Sequence, residues 1–408
     1  MFTETQLNNY ADVLLWGLKT ARRKKFKKND IVLIRYDKPA LRLAEILYDK
    51  LIGMGMNPVQ RVNLSPLMER SFYHKSRDSQ LNFRVPGDEE LYNNLSAGIY
   101  LIAPESMTHL SDVAPERIGK AAVSRKYLKE ILDRREEEGA FSWTLCALPT
   151  QEQADHAKLP LDTYGEQIIR ACFLDTDNPV GRWQHIYKQT ASLKNWLTRL
   201  DVSYFHIQSE HTDLKIAPGS QRRWLGISGH NIPSFELFLS PDWRKTEGVY
   251  FSDQPSYRNG NYVEGIRLVF KKGKVVEMSA QKGENFLKQQ LAIDSGANKV
   301  GEFSLTDRRF SRIDQFMANT LFDENFGGTY GNCHIALGSS YSDTFDGDPE
   351  RLTKAMKRKL GLNDSALHWD LVNTEPKQVT AHLVGGGKIR IYEDGEFRNA
   401  RGKFLYAG

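Results

Sequence analysis

Apolar residues recur along the first half of the chain in blocks of alternating period. Leu7, Ala11, Leu14, Leu15 and Leu18 fall at three- and four-residue spacings, which predicts one buried helical face. The run 31–36, Ile-Val-Leu-Ile-Arg-Tyr, reads as a buried strand. Pro39 then opens a helix carrying Leu43, Ile46, Leu47 and Leu51, closed by Gly53 and Gly55. Residues 59–64 and 99–102 read as strands again, about 115–138 as a long helix, and 141–146 as a further strand. This βαβα rhythm predicts an α/β domain with an open, mostly parallel sheet and helices on both faces. No GxGxxG or GxxxxGK[ST] follows any of its strands, so the domain reads as scaffold and lid rather than as a nucleotide site.

A helix over 179–200, with Trp183, Ile186, Leu193, Trp196 and Leu197, is expected to end that domain. After Asp201 the period shortens. Strand-like segments at 204–208, 213–217, 248–251, 265–270 and 275–280 follow one another closely, with Lys272-Gly273 as a hairpin turn between the last two. One amphipathic helix, 284–291, interrupts them. The expectation is therefore an α/β scaffold domain over 1–200 and an α+β, strand-rich catalytic domain over 201–408.

A chain of 408 residues suits two cores better than one. Charge changes this picture little. The net charge is +5, and the basic runs at 22–28 and 354–359 have no aromatic ladder interleaved with them, so no nucleic-acid partner is expected. No apolar run approaches the ~20 residues that span a bilayer, and the first residues do not read as a signal peptide. Cys146, Cys172 and Cys333 are sparse and lack CxxC spacing, which fits a reduced, cytoplasmic setting.

The polar residues that could carry chemistry lie between Gly229 and Asp370. They are Glu236 after a proline-bearing turn, Glu302 after the turn at 294–298, Asp323-Glu324 followed by His334 and Tyr341, and the triplet His368-Trp369-Asp370. On a strand, residues two apart share a face, so His368 and Asp370 aim at one point, an arrangement that suits zinc or cobalt. Taken singly, each of these groups is more often a solvated acid or a satisfied core histidine. Cys333, next to His334, would face the opposite side of a strand and is left out of the set.

The order of these motifs resembles the thermophilic aminopeptidase family of metallopeptidases. The resemblance rests on Asn-Ile-Pro-Ser-Phe-Glu at 231–236, Ser-Pro-Asp at 240–242, Glu-Gly-Val at 247–249, Leu-Phe-Asp-Glu-Asn at 321–325, His-Ile-Ala-Leu-Gly at 334–338 and His-x-Asp at 368–370. It implies an α/β domain joined to a metal-bearing C-terminal domain. It also implies that Glu236, Glu302, Glu324, His334, His368 and Asp370 are metal ligands, and that Tyr341 is the catalytic tyrosine. The partners implied are peptides with a free N-terminus and a second copy of the chain, as a homodimer.

Six such donors exceed what one tetrahedral ion with an open position requires. They suit two divalent ions (zinc, cobalt or manganese) about 3.5–4 Å apart, which activate a water and polarise the scissile carbonyl. Glu302 is the first choice as proton shuttle, with bridging of the two ions as its alternative role. Two rival readings remain open at this stage: a two-metal hydrolase of phosphate esters, and a metal-free binding module.

Overall fold

A computed structural model describes residues 2–258, 260–348 and 351–399. The chain forms two compact units. One takes the residues up to Trp183 together with Ser228–Pro233; the other takes Gln184–Ile227 and the residues from Ser234 onward.

The first unit is built on a five-stranded sheet in the order 57–62, 31–36, 95–102, 142–147, 231–232. Every neighbouring pair in it runs parallel, as the alternating helix and strand pattern requires. Its first helix, Glu4–Thr20, starts where Thr3 accepts from the Gln6 amide at 3.2 Å and Gln6 returns a bond to the Thr3 amide at 2.9 Å, a reciprocal cap. The strand at 31–36 and the helix ending at Gly53 stand where the periodicity puts them. The strand expected at 59–64 begins two residues earlier, at Asn57, and the one expected at 99–102 extends back to Leu95. The short strand Asn231–Ile232 joins this sheet from far along the chain. Pairing of that kind leaves no trace in local periodicity.

The second unit is built on two larger antiparallel sheets, with a two-stranded antiparallel hairpin at 256–258 and 261–263 beside them. One has eight strands, in the order 274–279, 266–271, 247–252, 213–216, 202–208, 378–383, 388–393, 396–397. The other has four: 368–373, 332–338, 300–306 and 236–239. Side chains from both sheets meet in a single core. Phe205, Ile207, Leu268 and Phe270 come from the larger sheet, and Leu237, Phe303, Leu305, Ile335, Leu337 and Leu371 from the smaller. The rings of Phe205 and Phe303 stand 5.7 Å apart across this layer. The Tyr250 hydroxyl crosses it to donate to the carbonyls of Cys333 and Leu371, at 3.1 and 2.7 Å. Leu193 and Leu197 of the helix Pro179–Arg199, and Leu287 and Leu291 of the helix Glu284–Leu291, close the same core.

The turn at Lys272-Gly273 connects 266–271 to 274–279, and both residues have positive φ (48° and 76°), the conformation a two-residue hairpin needs. Among the described residues no helix is long and apolar enough to cross a membrane.

Phe303 is fully buried and packs its ring on both Phe205 and Trp224. Phe303→Ala should cost about 3–5 kcal/mol, the usual range for removing a buried ring. Denaturant unfolding of the metal-free protein checks this, and a change under ~1 kcal/mol would mean that the two sheets do not depend on this contact.

Candidate metal centre

The smaller sheet has one face in the core, and period-two alternation sends the intervening side chains to the other face. Phe303 and Leu305 are core, so Glu302 and Ser304 point away; Cys333 and Ile335 are core, so His334 points away; Trp369 and Leu371 are core, so His368 and Asp370 point away. Register then aligns them. Ala336 stands between Glu302 on one neighbouring strand and Asp370 on the other, Ser304 stands opposite His334, and Glu236 stands opposite Thr306. Cys333 lies in the core, on the side facing away from His334.

The polar groups converge. His334 Nε2 lies 3.1 Å from Glu302 Oε1, 3.3 Å from Glu236 Oε2 and 3.9 Å from Asp370 Oδ1. His368 Nε2 lies 3.4 Å from Asp370 Oδ1 and 3.9 Å from Glu302 Oε2. Glu302 therefore turns one oxygen towards each imidazole. Glu236, Glu302 and His334 are all buried, and their donor atoms fall within 4.8 Å of one another.

Glu324 arrives from outside the sheet, at the C-terminal end of the one-turn helix Thr320–Asp323. Its backbone is held from two sides: Thr306 Oγ1 and Asn332 Nδ2 both donate to its carbonyl, at 3.3 and 3.0 Å. Its side chain lies in the field of Glu236, Asp370 and Glu302. Tyr341 follows the His334 strand, and its ring meets that of His368 edge-on at 4.8 Å. All seven residues singled out from the sequence are thus gathered in one place.

Electrostatics make the cluster costly as it stands. Burial, and then the charge of Glu302, push Glu236 up to about 8. Burial, and then Glu236, Asp370 and Glu302, push Glu324 well above the carboxylate range. Burial by itself would lower both imidazoles. The carboxylates outweigh it and hold His334, chiefly through Glu302, and His368, chiefly through Asp370, at about 9. Burial would also raise Asp370, yet the imidazole of His368 beside it brings it down to about 2. Tyr341 is pushed well above its ordinary value by the crowding of its hydroxyl and then by the four acids, although 44% of the residue is exposed.

This donor set fits divalent cations. Carboxylates and imidazoles without thiolates suit zinc, cobalt or manganese. The Nδ1 of His368 faces the Ser339 carbonyl at 2.9 Å, which fixes the ring and leaves Nε2 directed at the cluster, the usual second contact of a metal-binding histidine. A second group of Glu210, His211 and Glu375 also brings its donor atoms together. There Glu375 already accepts from Ser209 at 2.6 Å and Asn373 at 2.9 Å and pairs with the His211 ring.

Over residues 3–397 the chain matches the family described as thermophilic metalloprotease (M29). It belongs to that family. This M29 chain is therefore a metal-dependent peptidase, and its resemblance to thermophilic metallopeptidases holds over nearly its whole length. It is 28% identical to aminopeptidase AmpS of Bacillus subtilis, over 77% of this chain and 80% of that one. It is 26% identical to aminopeptidase PepS of Streptococcus thermophilus, over 86% and 83%. Its fold is that of wild-type AmpT from Thermus thermophilus, at a TM-score of 0.75 and 21% identity, covering 95% of this M29 chain and 98% of that one.

Two supporting residues were not singled out from the sequence. Asn325 accepts from the amides of Phe235 and Glu236, at 2.6 and 3.1 Å, and so ties the Glu324 turn to the start of the Glu236 strand. Ser304 donates to Glu236 Oε2 at 2.9 Å. The alternation Glu-Phe-Ser-Leu-Thr at 302–306 is the signal that could have identified Ser304. Gly226, at φ 137°, backs the Glu236 carbonyl so closely that a Cβ would overlap it.

Metal ligands must be deprotonated. With Glu236 at about 8 and both imidazoles at about 9, the metal-free centre carries protons at pH 7 that loading must expel. Zinc binding is therefore expected to release protons at pH 7, and affinity to fall as pH drops below about 9. Titration calorimetry in buffers of different ionisation enthalpy reads this directly. A heat of binding independent of the buffer would contradict it.

Proposed function

We propose that this protein is a two-metal aminopeptidase that releases N-terminal residues from peptides, with Glu236, Glu302, Glu324, His334, His368 and Asp370 holding the ions. The observation that carries the assignment is the placement of Glu302, one oxygen towards His334 and the other towards His368. The centre thus divides into a Glu236–His334 half and a His368–Asp370 half, with Glu302 as the ligand common to both. Glu324 completes the set. Zinc, cobalt and manganese all fit its oxygen and nitrogen donors.

Two divalent ions bound there supply an acidified water and a polarised scissile carbonyl. The remaining work falls to side chains. Of the two roles open to Glu302, bridging is favoured, since both of its oxygens are already turned to the imidazoles. The proton taken from the water would then pass to a carboxylate of the same cluster. Tyr341 stays a neutral phenol and donates its proton in a hydrogen bond to the oxygen that gains charge as the carbonyl is attacked. A free α-amine at the substrate's end is the requirement that the aminopeptidase reading carries. The named aminopeptidases to which the chain is similar support the same reading. The family resemblance supports a homodimer, and Cys146, Cys172 and Cys333, buried and free, support a reducing, cytoplasmic setting.

The decisive test is a matched pair of peptides, one with a free N-terminus and one acetylated, followed by mass spectrometry. The free peptide should shorten one residue at a time, in a reaction that chelation stops and added metal restores. The acetylated peptide should survive, because acetylation removes the charged amine. Internal cleavage, or equal loss of both peptides, would overturn the exopeptidase reading. Tyr341→Phe should keep its metal and lower kcat about 10²–10³-fold, the usual effect of removing one such donor. A rise in KM with kcat unchanged would make Tyr341 a substrate-positioning residue instead.

A further inference from the structure

The strand His368–Asn373 carries two of the six donors, yet it lies at the edge of the four-stranded sheet. Its inner side pairs with 332–338. Among the described residues no strand lies along its outer side, so its outward carbonyls need other donors. The segment 252–258 supplies them. Near the far end of the strand, Ser252 Oγ donates to the Val372 carbonyl at 2.9 Å, and the Gln254 amide reaches the same oxygen at 3.4 Å. In the middle, the Trp369 indole N–H donates to Ser256 Oγ at 2.9 Å. At the end that matters to the centre, Arg258 Nη1 donates to the His368 carbonyl at 2.9 Å.

Arg258 does more than cap one carbonyl. Its Nε donates to Gln290 Oε1 at 3.3 Å, which anchors the guanidinium to the helix Glu284–Leu291. The guanidinium also lies over the Trp369 ring, 5.8 Å from the centroid. One planar cation therefore engages two consecutive residues of the strand, the backbone of His368 and the ring of Trp369, directly before Asp370. Lysine cannot do the same, since it offers a point charge without a fixed fork of donors.

We propose that Arg258 is the positioning residue of the His368–Asp370 half of the metal centre, an assignment that rests on the two-metal reading above. It fixes the edge strand so that the imidazole and the carboxylate converge on one ion. His334 lies on an inner strand paired on both sides, and Glu236, on the opposite edge strand, is held by Asn325 and by the bridge between Leu225 and Phe238, so that half does not depend on Arg258.

The test measures zinc affinity of purified metal-free protein by competition with a chromophoric chelator, for the wild type, Arg258→Met and Arg258→Lys. Melting of the metal-free proteins and the visible spectrum of their cobalt forms are recorded alongside. Arg258→Met should weaken one of the two binding events about 10–100-fold, the usual cost of removing a group that orients a ligand. The other event and the metal-free melting temperature should stay unchanged, and the cobalt spectrum should lose intensity for one ion. Arg258→Lys should recover part of the affinity if charge contributes and should fall short of the wild type, because the fork is lost. Two events of wild-type affinity in Arg258→Met would overturn the proposal. So would equal weakening of both events, or a collapse of melting in both variants, since either outcome describes a general structural role. A wild type that binds fewer than two ions would instead overturn the two-metal reading on which the inference rests.

Discussion

Glu236, Glu302, Glu324 and Asp370 are buried within reach of one another's charge, and that mutual repulsion shapes the rest of the centre. Two unit charges at 4 Å repel by about 4 kcal/mol at an effective dielectric constant of 20, so four ionised acids cannot share this volume without cations. The metal-free protein meets the constraint by holding protons: Glu236 and Glu324 are pushed up and both imidazoles stay charged, while Asp370 is drawn down by His368. Divalent ions meet the same constraint without protons. The site is thus built to exchange one kind of positive charge for another, and the four acids are tolerable only because that exchange is available.

A second constraint is that these charges sit directly on a hydrophobic core. The strands 300–306, 332–338 and 368–373 each serve both purposes, with apolar residues towards the larger sheet and donors on the opposite face. The core fixes the register, and register fixes the donors, because a slip of one residue would turn Glu302, His334 and Asp370 inwards. Ala336, between Glu302 and Asp370, keeps the middle of the donor face free of bulk. Loops contribute what strands cannot. Glu324 enters from a one-turn helix held by Asn325, Thr306 and Asn332, and Tyr341 lies beyond the end of a strand where its backbone amide donates to Ser240 Oγ at 2.8 Å.

How much of this was legible in the sequence depended on whether the cause was local. The helices with apolar faces at 7–18 and 43–51 and the strand at 31–36 announce themselves by period, and the His368-Trp369-Asp370 triplet shows its shared face by spacing alone, whereas the shorter helices at 66–75, 88–94, 151–157 and 161–171 are not read from period. The strands that bear Glu302 and His334 were harder to see as strands, since each is buried on both faces and polar on one. The grouping of the other donors was reached by resemblance, because spacings of tens of residues between Glu236, Glu302 and His334 carry no geometric information until the sheet is formed. Alternation at 302–306 puts Ser304 on the donor face, but its partner, like those of Asn325 and Arg258, lies far away in the chain and has no local signal. The return of 231–232 to the first-unit sheet is also non-local, and its pairing with 145–146 has no counterpart in periodicity.

The central claim is that Glu302 joins two ions, one beside His334 and one beside His368. Anomalous diffraction from crystals grown with zinc, with data collected on both sides of its absorption edge, tests that claim most directly. The account requires two separate peaks, each next to one of these imidazoles, with Glu302 Oε1 on one and Oε2 on the other. A single peak in the centre, or zinc only at Glu210, His211 and Glu375, would contradict it.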